Sequence, residues 1–446
     1  MAIAKYSFFT NNITVKKNVL LTVNDDCSAP KLSLYWVFLV YIKMDSMAKR
    51  VAVVYDKAGK EYSGLDTYTT LLLRNLDPQR YNPVIVIPGY KYNRSPVRFL
   101  EEVKQLGVPI IATPETGKSG PQNFSKDVYE LRQFFRQEQI EVVHINTGNP
   151  LGQRKLVLGA WLAGVRAIVR NEHMPPSITL KYKDYAHRVM KPFDWLTDYI
   201  VTVSESDRQE QIKLMHRKPH KVYCAYAGVD LERFKPSGDT KAAKIRLGFD
   251  PNIPLIGAVG RLDKQKGFTY LIEAAAEVSQ KYSPVNFLLV GGGEEEQTLK
   301  EQVARHNLEA VFHFAGAQNN VVPYLEAMDI TVMSSLYESF GFVLAEYMAM
   351  GKPSVATDIP VFAEIVKDGE SAVVVKQADA PALAKGLIKL LNNPELAQSI
   401  GQAALQRVRL KFNVQRLSTD LMRIYDQLLG QDKPKQPRGE LIISKD

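Results

Sequence analysis

Two glutamates, Glu338 and Glu346, with seven residues between them, flank a Ser-Phe-Gly turn in the segment 334–353. That spacing puts one carboxylate in a loop and the second inside the helix expected to follow. Carboxylates accept hydrogen bonds from hydroxyls, so sugar and ribose are natural partners for both. If the helix begins near Gly341, its unpaired first-turn N–H groups face an anion lying between the two acids. Phe340 and Gly341 then make the turn, and Phe342, Val343 and Leu344 supply the amides. Ordinary surface glutamates are the plainer reading, but Glu346 falls in the apolar run 342–350, where an unpaired acid is costly to bury.

A second constellation lies upstream, where the strand-like run 255–260 ends in Gly260 and continues through Arg261, Lys266 and Gly267. An Arg and a Lys five apart across a strand-to-helix turn can converge on a diphosphate, and glycine lets the backbone approach it. A solvated basic loop is the alternative, which the short motif does not exclude. Two weaker loops follow. In one, Val290 runs into Gly291, Gly292 and Gly293 ahead of three glutamates, which suit a helix amino end as caps alone; the glycines equally admit a nucleotide. In the other, Phe314, Ala315 and Gly316 offer flat backbone against which a base can lie.

These loops need a scaffold that presents them together. From Lys49 onward, short apolar runs alternate with amphipathic segments, the pattern of parallel sheets covered by helices. Strands are expected at 50–55, 84–87, 109–112, 142–146, 167–171, 199–204 and 221–226. A second series is expected at 255–260, 286–290, 311–315, 330–333, 354–357 and 372–375, and helices at 381–392, 395–410 and 414–429. The fold class is therefore α/β, two Rossmann-like domains with a cleft between them, and ligands belong at the carboxyl ends of the strands. With 446 residues there is room for two cores. The expected division is a non-core extension over 1–47, a first domain over 48–230, a second over 231–412, a closing helix over 413–430 and a loose tail over 431–446. The extension holds an apolar run, 32–42, too short to cross a bilayer and without a secretory cleavage pattern, and the native start is expected near Met47.

Composition narrows the chemistry further. Two cysteines, Cys27 and Cys224, are too few for a disulfide framework or a thiolate metal cage and point to a reducing, cytoplasmic setting. The net charge of +9 is concentrated in residues 48–230, which carry +8, against −1 for 231–446. Such a bias can draw a domain to anionic lipid, nucleic acid or an acidic substrate, or can simply be a solvated surface. Arg188, Lys191 and the segment 216–221 make a peripheral contact with the inner face of a membrane one expectation. No Asp-x-Asp occurs, and no Gly-x-Gly-x-x-Gly follows the first strand of either half, which argues against that metal motif and against a dinucleotide dehydrogenase.

On these motifs the sequence resembles the family 4 glycosyltransferases, whose fold is GT-B, over roughly residues 48–430. The resemblance implies a retaining, metal-independent transfer of a sugar from a nucleotide diphosphate sugar, with no cofactor, to a carbohydrate, lipid-linked or small-molecule acceptor, and no nucleic-acid partner. By position, Arg261 and Lys266 would neutralise the donor diphosphate, Glu338 would hold hydroxyls of the transferred sugar, and Glu346 would take the ribose. Gly64 would sit in the family's glycine loop, where Ser63 replaces a glycine but keeps its N–H, and His173 would lie near the anomeric carbon. Ser204 is explained equally by helix capping and by an acceptor role. The segment 227–236 resembles the interdomain linker, and the last helix would cross back to the first domain. A nucleotide-sugar epimerase or a non-catalytic nucleotide-sugar-binding protein of the same fold is the alternative.

Overall fold

The computed structural model describes residues 5–10, 13–18, 48–56, 62–88, 96–113, 124–148, 150–173, 175–179 and 183–430. The chain divides into two compact units, residues 1–49 with 77–82, and residues 50–76 with 83–446. In the first unit, strands β1 (Lys5–Thr10) and β2 (Ile13–Asn18) form an antiparallel hairpin, where the sequence suggested no regular element. The apolar run 32–42 and the tail 431–446 lie outside the described residues.

The first sheet has the order β5-β4-β3-β6-β7-β8-β9. Its strands are β3 (Lys49–Asp56), β4 (Tyr81–Ile87), β5 (Ile110–Ala112), β6 (Val142–Thr147), β7 (Ala167–Glu172), β8 (Tyr199–Thr202) and β9 (Val222–Cys224). Between them run helices α1 (Gly64–Asn75), α2 (Val97–Gln105), α3 (Phe124–Gln137), α4 (Arg154–Ala163), α5 (Pro176–Thr179), α6 (Lys183–Leu196) and α7 (Glu205–Leu214). Every residue of β6 and β7 is buried, as a parallel strand covered on both faces requires. Val54, Val86, Ile145 and Leu156 belong to its core.

The second sheet has the order β12-β11-β10-β13-β14-β15, from strands β10 (Leu255–Val259), β11 (Asn286–Val290), β12 (Phe312–Gly316), β13 (Ile330–Met333), β14 (Ser354–Thr357) and β15 (Val373–Val375). Its helices are α8 (Thr240–Arg246), α9 (Phe268–Lys281), α10 (Glu296–Arg305), α11 (Val322–Ala327), α12 (Phe342–Ala349), α13 (Pro360–Ile365), α14 (Ala380–Leu391) and α15 (Pro394–Lys411). Strands pair in parallel along both Rossmann-like sheets. Leu271, Leu289 and Leu387 sit in the second core. The strand order reverses between β10 and β13, so the loops after these two strands diverge and leave a crevice. Those loops carry Arg261, Lys266 and Glu338.

A last helix, α16 (Val414–Gly430), lies against the first sheet, where Tyr425 Oη meets His144 Nδ1 of β6 and Arg166 donates to the Leu429 carbonyl. Beside it the chain crosses between domains a second time: Val229 N donates to Phe412 O at 2.9 Å and Val414 N to Val229 O at 3.2 Å. Among the described residues no helix is long and apolar enough to cross a membrane.

Candidate functional site

Backbone lacing brings the two charged loops of the second domain into register. Leu336 N donates to Gln265 O at 2.8 Å, Gln265 Nε2 to Tyr337 O at 3.0 Å, and Ser334 Oγ to Lys266 O at 2.8 Å. As a result Lys266 Nζ meets Glu338 Oε1 at 2.5 Å, with the side chains 13% and 10% exposed, and Ser335 Oγ donates to the same oxygen at 3.0 Å. Arg261 turns instead to Asp263, at 2.7 Å, and is 42% exposed. Both cations are therefore held by acids, and a diphosphate, which carries more charge than one carboxylate, can compete for them.

Helix α12 opens beside this pair. Gly341 has φ +89°, and a Cβ there would lie 2.6 Å from the Phe362 ring, so the turn admits glycine alone. Leu344 N and Ala345 N both bond Gly341 O, which leaves the Phe342 and Val343 amides without an intrahelical partner. Phe340 is buried, edge-on to Phe342, and anchors the turn. One turn on, Glu346 is half-buried and makes no side-chain hydrogen bond among the described residues. It lines a cavity of 620 Å³ shared with Arg98, Arg233, Thr67, Asn320 and Phe342. Burial raises its pKa to about 7, against the pull of Arg233, Lys266 and Arg98.

The glycine run after β11 is spent on packing. A Cβ on Gly291 would sit 1.8 Å from the Gly260 carbonyl oxygen, and one on Gly293 would sit 2.5 Å from that of Leu262. Gly292 O accepts from Leu262 N at 2.9 Å, and Gly291 N donates to Gly316 O at 2.9 Å. Close approach here is of loop to loop, so Gly291 and Gly293 are accounted for without a ligand. Ala315 stays half-buried, its carbonyl taking Gln318 Nε2 at 2.7 Å.

In the first domain β7 delivers His173, 8% exposed, into a polar nest of its own domain. Asn171 Nδ2 donates to its Nε2 at 2.9 Å, Asn146 Oδ1 lies 3.5 Å from the same nitrogen, and Tyr68 of α1 meets the ring edge-on. Burial, with His144 nearby, lowers the imidazole pKa to about 3, so the ring is neutral. Gly64 opens α1 with Phe342 of α12 only 3.2 Å from where its Cβ would be, so the two domains touch at this turn. The Ser63 N–H expected to remain available is consumed: with its hydroxyl, it bonds Asp66 Oδ2 at 2.7 and 2.8 Å in a capping box. Loop residues 57–61 lie outside the described residues.

The basic segment 216–221 also reads differently in three dimensions. Arg217 is buried, forked onto Glu172 at 2.8 and 3.0 Å and joined to Asp194. Lys221 Nζ donates to the carbonyls of Asp194, Trp195 and Thr197 at the end of α6. Two of its cations are therefore internal struts and not surface charge, whereas Arg188 and Lys191 are exposed. Ser204 caps α7, accepting from Asp207 N at 3.3 Å.

Sequence reasoning missed Asn146, Asn171 and Tyr68 around His173, and Arg98 opposite Glu346. One signal was available: Asn146 and Asn171 end adjacent buried strands in register, a costly place for amides unless they serve a partner. It also missed Glu364 of α13, whose carboxylate accepts from Glu205 N at 2.8 Å and Ser206 N at 2.6 Å, at the amino end of α7 in the other domain.

Comparisons with known proteins divide along the same two sheets. The profile described as Glycosyltransferase Family 4 matches residues 62–233, and that described as Glycosyl transferases group 1 matches residues 239–407. EpsD of Bacillus subtilis (strain 168) is 26% identical over 339 residues, 74% of this chain and 86% of its own length. Alpha-D-kanosaminyltransferase of Streptomyces kanamyceticus is 27% identical over 231 residues, 50% of this chain and 58% of that protein. Among solved structures, Anabaena HepE in complex with UDP superposes with a TM-score of 0.71 at 20% identity, over 85% of this chain and 100% of HepE. Its complex with UDP-glucose gives 0.71 at 19% identity, over 86% and 100%.

Proposed function

Because the chain belongs to the family 4 glycosyltransferases and has their GT-B fold, we propose that it transfers a sugar from a nucleotide diphosphate sugar to a glycan, lipid-linked or small-molecule acceptor, with retention of anomeric configuration. The observation that carries this reading is the juxtaposition of Lys266, Glu338 and the open amino end of α12, with Glu346 one turn further along. The Anabaena structures that superpose on this chain hold UDP and UDP-glucose, which supports a nucleotide-sugar donor.

Breaking the bond between sugar and phosphate puts negative charge on the leaving diphosphate. Lys266, Arg261 and the Phe342 and Val343 amides are groups whose attraction grows as that charge grows, so they favour the transition state over the ground state. Fixed cations take the part a metal plays elsewhere, and the transfer is metal-independent. The Lys266 ammonium leaves Glu338 for phosphate oxygen, which frees a carboxylate for hydroxyls of the sugar. Glu346, with no competing hydrogen bond among the described residues, accepts from the ribose, while His173 offers a neutral ring to the sugar near its anomeric carbon. The acceptor attacks from the face the diphosphate leaves, and the departing phosphate takes its proton. Such an enzyme works in the cytoplasm, at the inner face of the membrane where its acceptor is lipid-linked.

The test is a hydrolysis and transfer assay with UDP-, GDP- and ADP-sugars, run with EDTA. Release of one nucleoside diphosphate in the presence of EDTA is expected. Donor conversion to an epimer without release, or release abolished by EDTA, would sink the reading.

A further inference from the structure

The neutral ring of His173 has two tautomers, and they offer opposite chemistry to a ligand. If Nε2 bears the proton, Nδ1 is a lone pair; if Nε2 is bare, Nδ1 is a donor. Both amides beside the ring bear on the choice. Thr69 Oγ1 donates to Leu65 O at 2.7 Å, so it must accept from Asn146 Nδ2, 3.3 Å away, which turns Asn146 Oδ1 toward His173. That oxygen would favour a protonated Nε2, but at 3.5 Å it sits at the outer limit of a hydrogen bond. Asn171 Nδ2 stands at 2.9 Å and favours the bare nitrogen. Tyr68 Oη and Asn171 Oδ1 are both buried without a hydrogen-bond partner, so the contact with His173 is the side-chain hydrogen bond this amide makes among the described residues. Nδ1 makes no hydrogen bond among the described residues, and the ring keeps a small exposed edge.

We propose that Asn171 is a positioning residue that holds His173 in the Nδ1–H tautomer, so that the imidazole presents a hydrogen-bond donor at its open edge. The inference rests on the reading of His173 as a sugar-facing group. In that reading the donor meets an oxygen of the transferred sugar, and a lone pair there would repel it. Asn171 itself does not reach the ligand and acts through the ring.

Histidine-selective ¹⁵N labelling with long-range ¹H–¹⁵N spectra of the full chain reads the tautomer directly, the His173 signal being assigned by its loss in His173→Gln. The wild-type enzyme should show a protonated Nδ1 and a bare Nε2 from pH 6 to 8. Asn171→Asp, whose carboxylate can only accept, should invert that pattern and lower kcat by at least about 10-fold, with donor KM within about 3-fold, as expected when a positioned donor is lost. A wild-type spectrum with Nε2–H, which needs no variant to fold, overturns the proposal; so does Asn171→Asp keeping Nδ1–H. Full activity in His173→Gln overturns the sugar-facing reading and the rate effect with it, whereas an Nε2–H spectrum alongside an inactive His173→Gln overturns the tautomer assignment alone.

Discussion

Lys266 and Glu338 are shielded on both sides, whereas Arg261 stands partly in water beside Asp263, and this difference separates the effects of removing either cation. On the proposed role, Arg261→Ala and Lys266→Ala should each lower turnover by at least ~100-fold, the scale of a lost transition-state charge partner. Arg261→Ala should leave the melting temperature near that of the wild type. Lys266→Ala should lower it as well, because Glu338 is then left at 10% exposure without its cation. Steady-state kinetics paired with thermal denaturation would check both, and a near-normal rate in either variant would refute the assignment. Glu346 adds a pH dependence. Its pKa is raised to about 7, so below that pH the carboxyl is protonated in the free enzyme and accepts ribose hydroxyls less well. Donor KM should therefore rise as pH falls from 8 to 6, with a proton released on binding. For stability the sign is opposite: a carboxyl with a raised folded pKa contributes most at low pH and costs stability as pH climbs through 7. Glu346→Gln should accordingly melt higher at pH 8 while binding donor more weakly and with a flat pH profile.

At the scale of elements, the site depends on a helix that starts at a set point. Gly341 holds the chain in the left-handed region and lets α12 begin with the Phe342 and Val343 amides lacking an intrahelical partner. Gly341→Ala meets both a strained φ and the Phe362 ring at 2.6 Å, so a loss of about 1–3 kcal/mol is expected from urea denaturation. Activity should fall further than stability, since the amides move with the turn. All thirteen strands read from the alternation of apolar runs are present, because parallel strands buried on both faces need continuous hydrophobic stretches that helices do not share. The hairpin β1/β2 escaped that reading: Lys5–Thr10 and Ile13–Asn18 mix lysines and asparagines with short apolar pairs and carry no clean alternation.

For the whole molecule, the contact of Glu364 with the amino end of α7 joins the second domain to the first through two charge-assisted hydrogen bonds. Arg407 braces it by donating to the carbonyls of Ile365 and Glu364 at 2.6 and 2.7 Å. Each such bond contributes on the order of 1.5–3 kcal/mol, enough to bias a two-domain equilibrium about tenfold or more. Glu364→Ala should therefore enlarge the radius of gyration measured by small-angle scattering of the free enzyme, and donor should reverse much of the change. An unchanged scattering curve would show that other contacts hold the domains together.

The positions of Arg261, Lys266, Glu338, Gly341 and Glu346 along the chain were legible in one dimension, since each lies within a few residues of a strand end or helix start, and local periodicity locates those ends. What side chains do there was not. Lys266 and Glu338 are 72 residues apart and meet because β10 and β13 are neighbours in the sheet. Separation in sequence likewise hid Asn146 beside His173, 27 residues away, and turned Arg217 from a surface cation into an internal strut on Glu172, 45 residues away. Local pattern determines which elements form, because helix and strand periods are properties of short segments. Partners are decided by how those elements stack, and stacking is a property of the assembled core alone.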